Sequence, residues 1–97
     1  MPSAHLAADF ALIGIGVIAN TELAEAAGLT LDNGIAVDAA CVTSHPDIVS
    51  AGDCASFPWR GRRVRVESVQ NAIDQAEAAA MTLLGKGAPY DPTPWFW

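Results

Sequence analysis

The residues best suited to chemistry lie between Thr43 and Ser56: a loop, a short apolar run, Ile48 to Ala51, read as a strand, then Gly52-Asp53 with small residues behind them. A glycine there lets the backbone take angles other residues avoid and lets another group approach closely. Asp53 offers two acceptor oxygens at a strand's end, where ligands sit in open α/β sheets. An aspartate in such a turn can equally cap nearby amides, and residue type alone does not separate the two roles. A second pattern, Gly14-Ile15-Gly16-Val17-Ile18-Ala19, follows an apolar run and has Asp38 22 positions beyond Gly16. This has the outline of a dinucleotide-binding turn. The helix that follows is too short, however, and an Asn33-Gly34 turn occupies the place of the second parallel strand. What survives is a pair of glycines that admit close backbone approach.

Four of the five basic residues, Arg60, Arg62, Arg63 and Arg65, fall within six positions. They read as a solvated loop or as a contact to a nucleotide phosphate or acidic partner. Cys41 and Cys54 lack CxxC or metal-ligand spacing and read as inert thiols. His5 and His45 stand apart from any nucleophile. With no catalytic pair and no metal set in the pattern, chemistry would have to come from a bound cofactor.

The elements that must position these residues follow from periodicity. Phe10 to Ile18 is a continuous apolar run, as in a strand buried on both faces. Asn20 or Thr21 can cap a short helix, Glu22 to Ala27, which Gly28 ends. Asn33-Gly34 between two apolar runs predicts a β-hairpin. Ser56 to Arg63, with Pro58 and Gly61, reads as a loop, and Val64 to Val66 as a short extended piece. Ser68 then caps the longest helix, Val69 to Leu84. Its positions Val69, Ala72, Ile73, Ala76, Ala80, Leu83 and Leu84 form the expected buried stripe. Ala72, Ala76, Ala79 and Ala80 let that backbone lie close to a neighbour. The end, with Pro89, Pro92 and Pro94 before Trp95, Phe96 and Trp97, would be a sticky patch if free. It reads as a cut edge that belongs against something else.

At 97 residues the chain makes at most one small domain, whose burial and chain entropy roughly balance. Hydrophobic residues are 52% and charged ones 16%, which suits a buried α/β core better than a disordered tail. A net charge of −6 argues against nucleic-acid and anionic-membrane binding. Without a signal peptide or a run long enough to span a bilayer, a cytoplasmic location is expected.

Four segments occur in one order: Gly14-Ile-Gly-Val-Ile-Ala-Asn-Thr-Glu-Leu23, Asp47-Ile-Val-Ser-Ala-Gly-Asp-Cys-Ala55, Glu67-Ser-Val-Gln-Asn-Ala-Ile-Asp-Gln-Ala76 and Pro94-Trp-Phe-Trp97. Together they resemble the FAD-dependent, NADH-oxidising ferredoxin reductases that feed oxygenases, within the pyridine nucleotide-disulfide oxidoreductase superfamily. The resemblance covers nearly everything after Asp9. It implies a partial FAD-binding domain, Rossmann-like and of the glutathione-reductase type, with a β-hairpin and one long helix. Residues 1–17 would end an NADH-domain segment, 18–88 would form the second FAD-domain segment, and 89–97 would open a truncated C-terminal domain.

The resemblance also implies roles. Asp53, after Gly52 and before Ala55, would accept hydrogen bonds from ribityl hydroxyls of FAD. The Ser68-Val69-Gln70 turn would meet the flavin's pyrimidine edge with its amides, where a helix N-terminus favours the charge gained on reduction. Trp97 would pack near the isoalloxazine, and Gly16 would lie close to the nicotinamide of NAD. Hydride would pass from NADH to flavin and single electrons to a ferredoxin-type iron–sulfur protein, with Cys54 outside the redox path. Ala19 stands where the family usually has proline, and His45 where an acid is common. The glycine-rich start that holds the FAD pyrophosphate has no counterpart here, nor has most of the NADH domain, so this stretch alone should show little or no turnover. Two other readings stay open: a small non-enzymatic interaction module using the aromatics or arginines, and a relative of NADH oxidases or apoptosis-inducing factor.

Overall fold

The computed structural model describes Asp9 and residues 18–92. The expected strand from Phe10, with Gly14 and Gly16, lies outside the described residues, as does Pro94 to Trp97. A short helix α1 (Glu22–Ala26) opens the described part. Glu22 and Glu25 in its first turn suit the positive helix end. Thr21 occupies the N-cap, yet its side chain makes no capping bond.

Three short strands follow: β1 (Ile35–Ala36), β2 (Ala55–Trp59) and β3 (Arg62–Val64), in the order β1-β2-β3. β1 runs parallel to β2 with Ile35 opposite Ala55, and β2 runs antiparallel to β3 with Phe57 opposite Val64. The last element among the described residues is a 15-residue helix, α2 (Val69–Leu83), whose N-cap Ser68 accepts from the Asn71 amide. The expected helix, cap included, is there.

Two expectations about strands are corrected. Asn33-Gly34 does turn the chain, but the predicted hairpin shrinks to one bridge, Leu31 to Ile35, plus the Ala36 amide on Thr30 O. The residues beyond it are claimed by another partner: the Ile35 amide donates to Cys54 O at 2.7 Å and the Val37 amide to Ser56 O at 2.9 Å. The real hairpin is β2–β3, where a loop was expected. Its turn residues Arg60 (φ 46°) and Gly61 (φ 84°) both take the left-handed form that two-residue hairpins need. Pro58 lies beyond the β1 pairing and opposite Arg63. There its missing N–H interrupts no ladder bond.

The apolar core is small: Val37, Phe57 and Val66, with Trp59, Val64 and Tyr90 packed around them. The Phe57 and Tyr90 rings meet edge to face at 5.4 Å. The predicted buried stripe of α2 is also corrected. The face turned inward carries Asn71, Gln75 and Ala79, whereas Val69, Ile73, Ala76, Ala80, Leu83 and Leu84 are exposed. Spacing identifies an apolar stripe but not whether anything covers it. Here the two inward amides, Asn71 and Gln75, are the side chains that find backbone partners.

Candidate cofactor site

The Gly52-Asp53 turn does not follow a strand. Ile48 to Ala51 pairs through one bridge, Val49 to Val42, within a tight loop closed by Thr43, whose hydroxyl lies in hydrogen-bond contact with Ile48 O and His45 O. A four-residue run folded back on its own loop has no length left for a ladder. The turn instead leads into β2, with the Ala55 amide donating to Gly52 O. Ala55 itself is completely buried, so any part it has in a site is through its backbone.

Two side chains clamp this turn. Gln75 Oε1 accepts from the Gly52 amide at 2.9 Å, and Arg65 Nη1 donates to Asp53 O at 2.9 Å. A Cβ on Gly52 would stand 3.7 Å from that of Ala72, so turn and helix are in contact through small residues. The Asp53 side chain is exposed, and its carboxylate has no hydrogen-bond or ion-pair partner among the described residues. A carboxylate fixed at its backbone and free at its oxygens can accept hydroxyl donors from a ligand.

At the start of α2, Val69 is 81% exposed and no acid sits in the first turn. Ser68 satisfies the Asn71 amide, and the Val69 and Gln70 amides have no partner among the described residues. Gln70 turns its side chain along the helix, Nε2 donating to Asp74 Oδ1 at 2.9 Å. This end can therefore take an electron-rich group. The structure joins Asp53 and α2 through Gly52, Ala72 and Gln75, while among the described residues the hollow that Asp53 borders does not include Val69. Asp53 borders a hollow with Ile18, Ala19, Asn20, Cys54 and Arg65, and Arg65 also borders a second hollow with Arg62, Val64, Val66 and Glu67.

The arginines divide by role. Arg63 Nη1 donates to Val37 O at 3.0 Å and Ser56 O at 2.5 Å, tying the end of β1 to β2. Arg65 is nearly buried and pairs with Glu67 at 3.0 Å. Arg60 and Arg62 both lie over the Trp59 ring, at 4.7 and 5.8 Å from its centroid, and Arg60 also pairs with Asp91. The cluster is thus a structural brace at one end and an exposed stack at the other.

Cys41 is buried at φ 69°; burial, with Asp38 nearby, pushes its thiol up from the ordinary value. Cys54 is free and half-buried. Among the described residues no cluster could hold a metal ion, and no helix is long and apolar enough to cross a membrane. Sequence reasoning missed Asn71, Gln75 and Tyr90, a buried polar ladder under the turn. Asn71 and Gln75 stand four apart on one helix face, and that spacing of two amides was the available signal.

Residues 3–76 match the family described as Pyridine nucleotide-disulphide oxidoreductase. The chain is 50% identical over 92 residues to the 5,5'-dehydrodivanillate O-demethylase ferredoxin reductase subunit of Sphingobium, covering 92% of this chain and 22% of that protein. The crystal structure of the ferredoxin reductase for the CYP199A2 system from Rhodopseudomonas palustris superposes with a TM-score of 0.79 at 53% identity, covering 87% of this chain and 21% of that one. The covalent putidaredoxin reductase–putidaredoxin complex gives 0.79 at 50% identity, covering 95% and 22%. The chain therefore belongs to the pyridine nucleotide-disulphide oxidoreductase family. It spans about a fifth of the length of the relatives it matches.

Proposed function

We propose that these residues form part of the FAD-binding domain of an NADH-oxidising ferredoxin reductase that serves an oxygenase. The observation that carries this reading is the Asp53 carboxylate, free at its oxygens and locked at its backbone against α2, in a chain about half identical to ferredoxin reductases. The donor set fits the cofactor. Asp53 accepts from ribityl hydroxyls, and the Val69 and Gln70 amides meet the electron-rich edge of the ring system. Gly52 allows close approach, and Ala55 supports the turn from the core. Bound FAD supplies the conversion of a two-electron hydride donor, NADH, into single electrons for a ferredoxin-type iron–sulfur protein. Gly16 and Trp97 are assigned to the nicotinamide and isoalloxazine sides by resemblance. On the same ground residues 1–17 end an NADH-domain segment, 18–88 belong to the FAD domain, and 89–97 open a C-terminal domain.

The test is a chimera in which this chain replaces the matching segment of the Rhodopseudomonas palustris reductase. It should purify yellow, with flavin absorbance near one per chain, and Asp53→Ala should lower flavin affinity about tenfold or more. A folded chimera that is colourless refutes the flavin reading. It would leave the interaction-module reading, which the exposed apolar face of α2 also supports. The chain alone, mixed with FAD and NADH, should consume no NADH beyond the free-flavin background, because too few groups remain to hold reactants at reacting distance.

A further inference from the structure

We infer that Gln75 is a positioning residue for the flavin-holding carboxylate, setting Asp53 in place by gripping the amide of Gly52. This rests on the assignment of Asp53 to the flavin. Gln75 is fully buried, at a helix position where an apolar side chain would pack at lower cost. Its Oε1 accepts from the Gly52 amide at 2.9 Å and from Asn71 Nδ2 at 3.3 Å. Among the described residues its Nε2 has no partner at hydrogen-bond distance, and its weak interaction with the Cys41 sulfur favours the thiolate. The buried amide is thus used as an acceptor, with its donor side left over. A residue kept only to fill space would not carry that penalty.

The polarity of the whole ladder follows from its first member. A backbone N–H can only donate, so Gln75 must present oxygen to Gly52. Asn71 must then present its nitrogen to that oxygen, and the same nitrogen reaches Val66 O at 3.5 Å. Asn71 Oδ1 is left facing outward and needs a donor, which the Tyr90 hydroxyl supplies at 2.7 Å. Tyr90 is held in turn by its own amide on Ala39 O at 2.8 Å and by Phe57. Each amide can adopt one orientation only, and the ladder ends on the residue preceding Asp53. Losing the grip on Gly52 leaves the turn held from its carbonyl side alone, by Arg65 and the Ala55 amide. The carboxylate can then swing about that anchor.

The experiment uses the reductase chimera and measures FAD affinity by titration of the flavin-free protein, with circular dichroism as the check on folding. Gln75→Met, which keeps volume and deletes the acceptor, should weaken FAD binding about tenfold. Gln75→Glu keeps both uses of Oε1 and should restore affinity to within about threefold of wild type. In the Asp53→Ala background, Gln75→Met should weaken binding no further, whereas its effect on unfolding should persist. Wild-type affinity in a folded Gln75→Met variant overturns the inference, and so does a full, additive loss in the double variant. If Gln75→Met does not fold, Tyr90→Phe decides. It removes one hydroxyl, keeps the ring against Phe57, and should weaken FAD binding about threefold; no change overturns the inference. Unchanged affinity in Asp53→Ala alone would instead defeat the flavin assignment beneath it.

Discussion

Replacing Gly34 by alanine should cost far more than the same change at Gly28, although both hold positive φ. Gly28 sits at φ 77° with nothing within 4 Å of where a Cβ would stand. The penalty there is left-handed strain of about 1–2 kcal/mol, less about 0.5–1 kcal/mol because alanine narrows the unfolded ensemble. The net is about 1 kcal/mol. Gly34 sits at φ 141°, and a Cβ there would meet Cys54 O at 2.7 Å and Arg65 Cδ at 3.0 Å. The first of these is backbone, and it already accepts from the Ile35 amide at 2.7 Å. Relief requires β1 to move off β2, leaving that amide without its acceptor, which adds about 1–3 kcal/mol. Gly34→Ala should therefore destabilise by about 2–4 kcal/mol in all, with a midpoint on the order of 10 °C lower than that of Gly28→Ala. Urea unfolding followed by circular dichroism measures both. Equal stability of the two variants, within about 0.5 kcal/mol, would refute the argument from close approach.

Arg63→Met removes the donor that joins Val37 O and Ser56 O and should destabilise by about 1–3 kcal/mol in urea unfolding. Arg62→Met, which loses only its place over Trp59, should cost about 0.5–1 kcal/mol. Burial, with Asp74 and Cys41 nearby, raises the Tyr90 hydroxyl to about 12, and burial raises the Cys41 thiol. Each keeps its proton in the folded state after losing it in the unfolded one, so each contribution is whole below the ordinary value, 9.0 for Cys41 and 10.0 for Tyr90, and is lost as pH rises through the raised one, about 12 for Tyr90. Tyr90→Phe should flatten the upper part of a stability-versus-pH curve, and an unchanged slope contradicts this. Ile73→Lys, at a half-exposed site, should leave the 97-residue chain within about 0.5 kcal/mol of wild type yet destabilise the reductase chimera by more than that. Equal effects in both would mean the chimera leaves that face open.

The helices were legible in the sequence because their signals are local: Ser68 before an apolar-periodic run, and Gly28 after a short one. The strands were not, because a strand is defined by its partner. Asn33-Gly34 carries the strongest short hairpin signal in the chain, yet the segment after it is drawn to Cys54 O and Ser56 O, about twenty residues on. Arg60-Gly61 carries a weaker one and makes the real hairpin, since Phe57 and Val64 can reach the core together. The Asp53 turn stood out by residue type, but what fixes it did not. Gln75 and Arg65 lie 23 and 12 positions in sequence from the donor and the acceptor that they respectively meet in the turn, and only folding reveals those pairs.

Helix α2 shows why this part of the protein reads backwards when taken by itself. Hydrophobic spacing and inward facing ordinarily coincide, because burying apolar area is the main gain on packing a helix. Here the buried face carries two amides and a small residue, while Val69, Ile73, Leu83 and Leu84 are 50–81% exposed. The amides can be buried because each meets a fixed polar partner in the turn, in Val66 or in Tyr90. An apolar side chain there would fill space but leave the Gly52 amide unpaired. The helix therefore uses one face for precision at the Asp53 turn and leaves its hydrophobic face available. That division fits a chain that spans about a fifth of the length of the relatives it matches. One surface holds the Asp53 turn in register, while the other carries apolar area that the described residues do not bury.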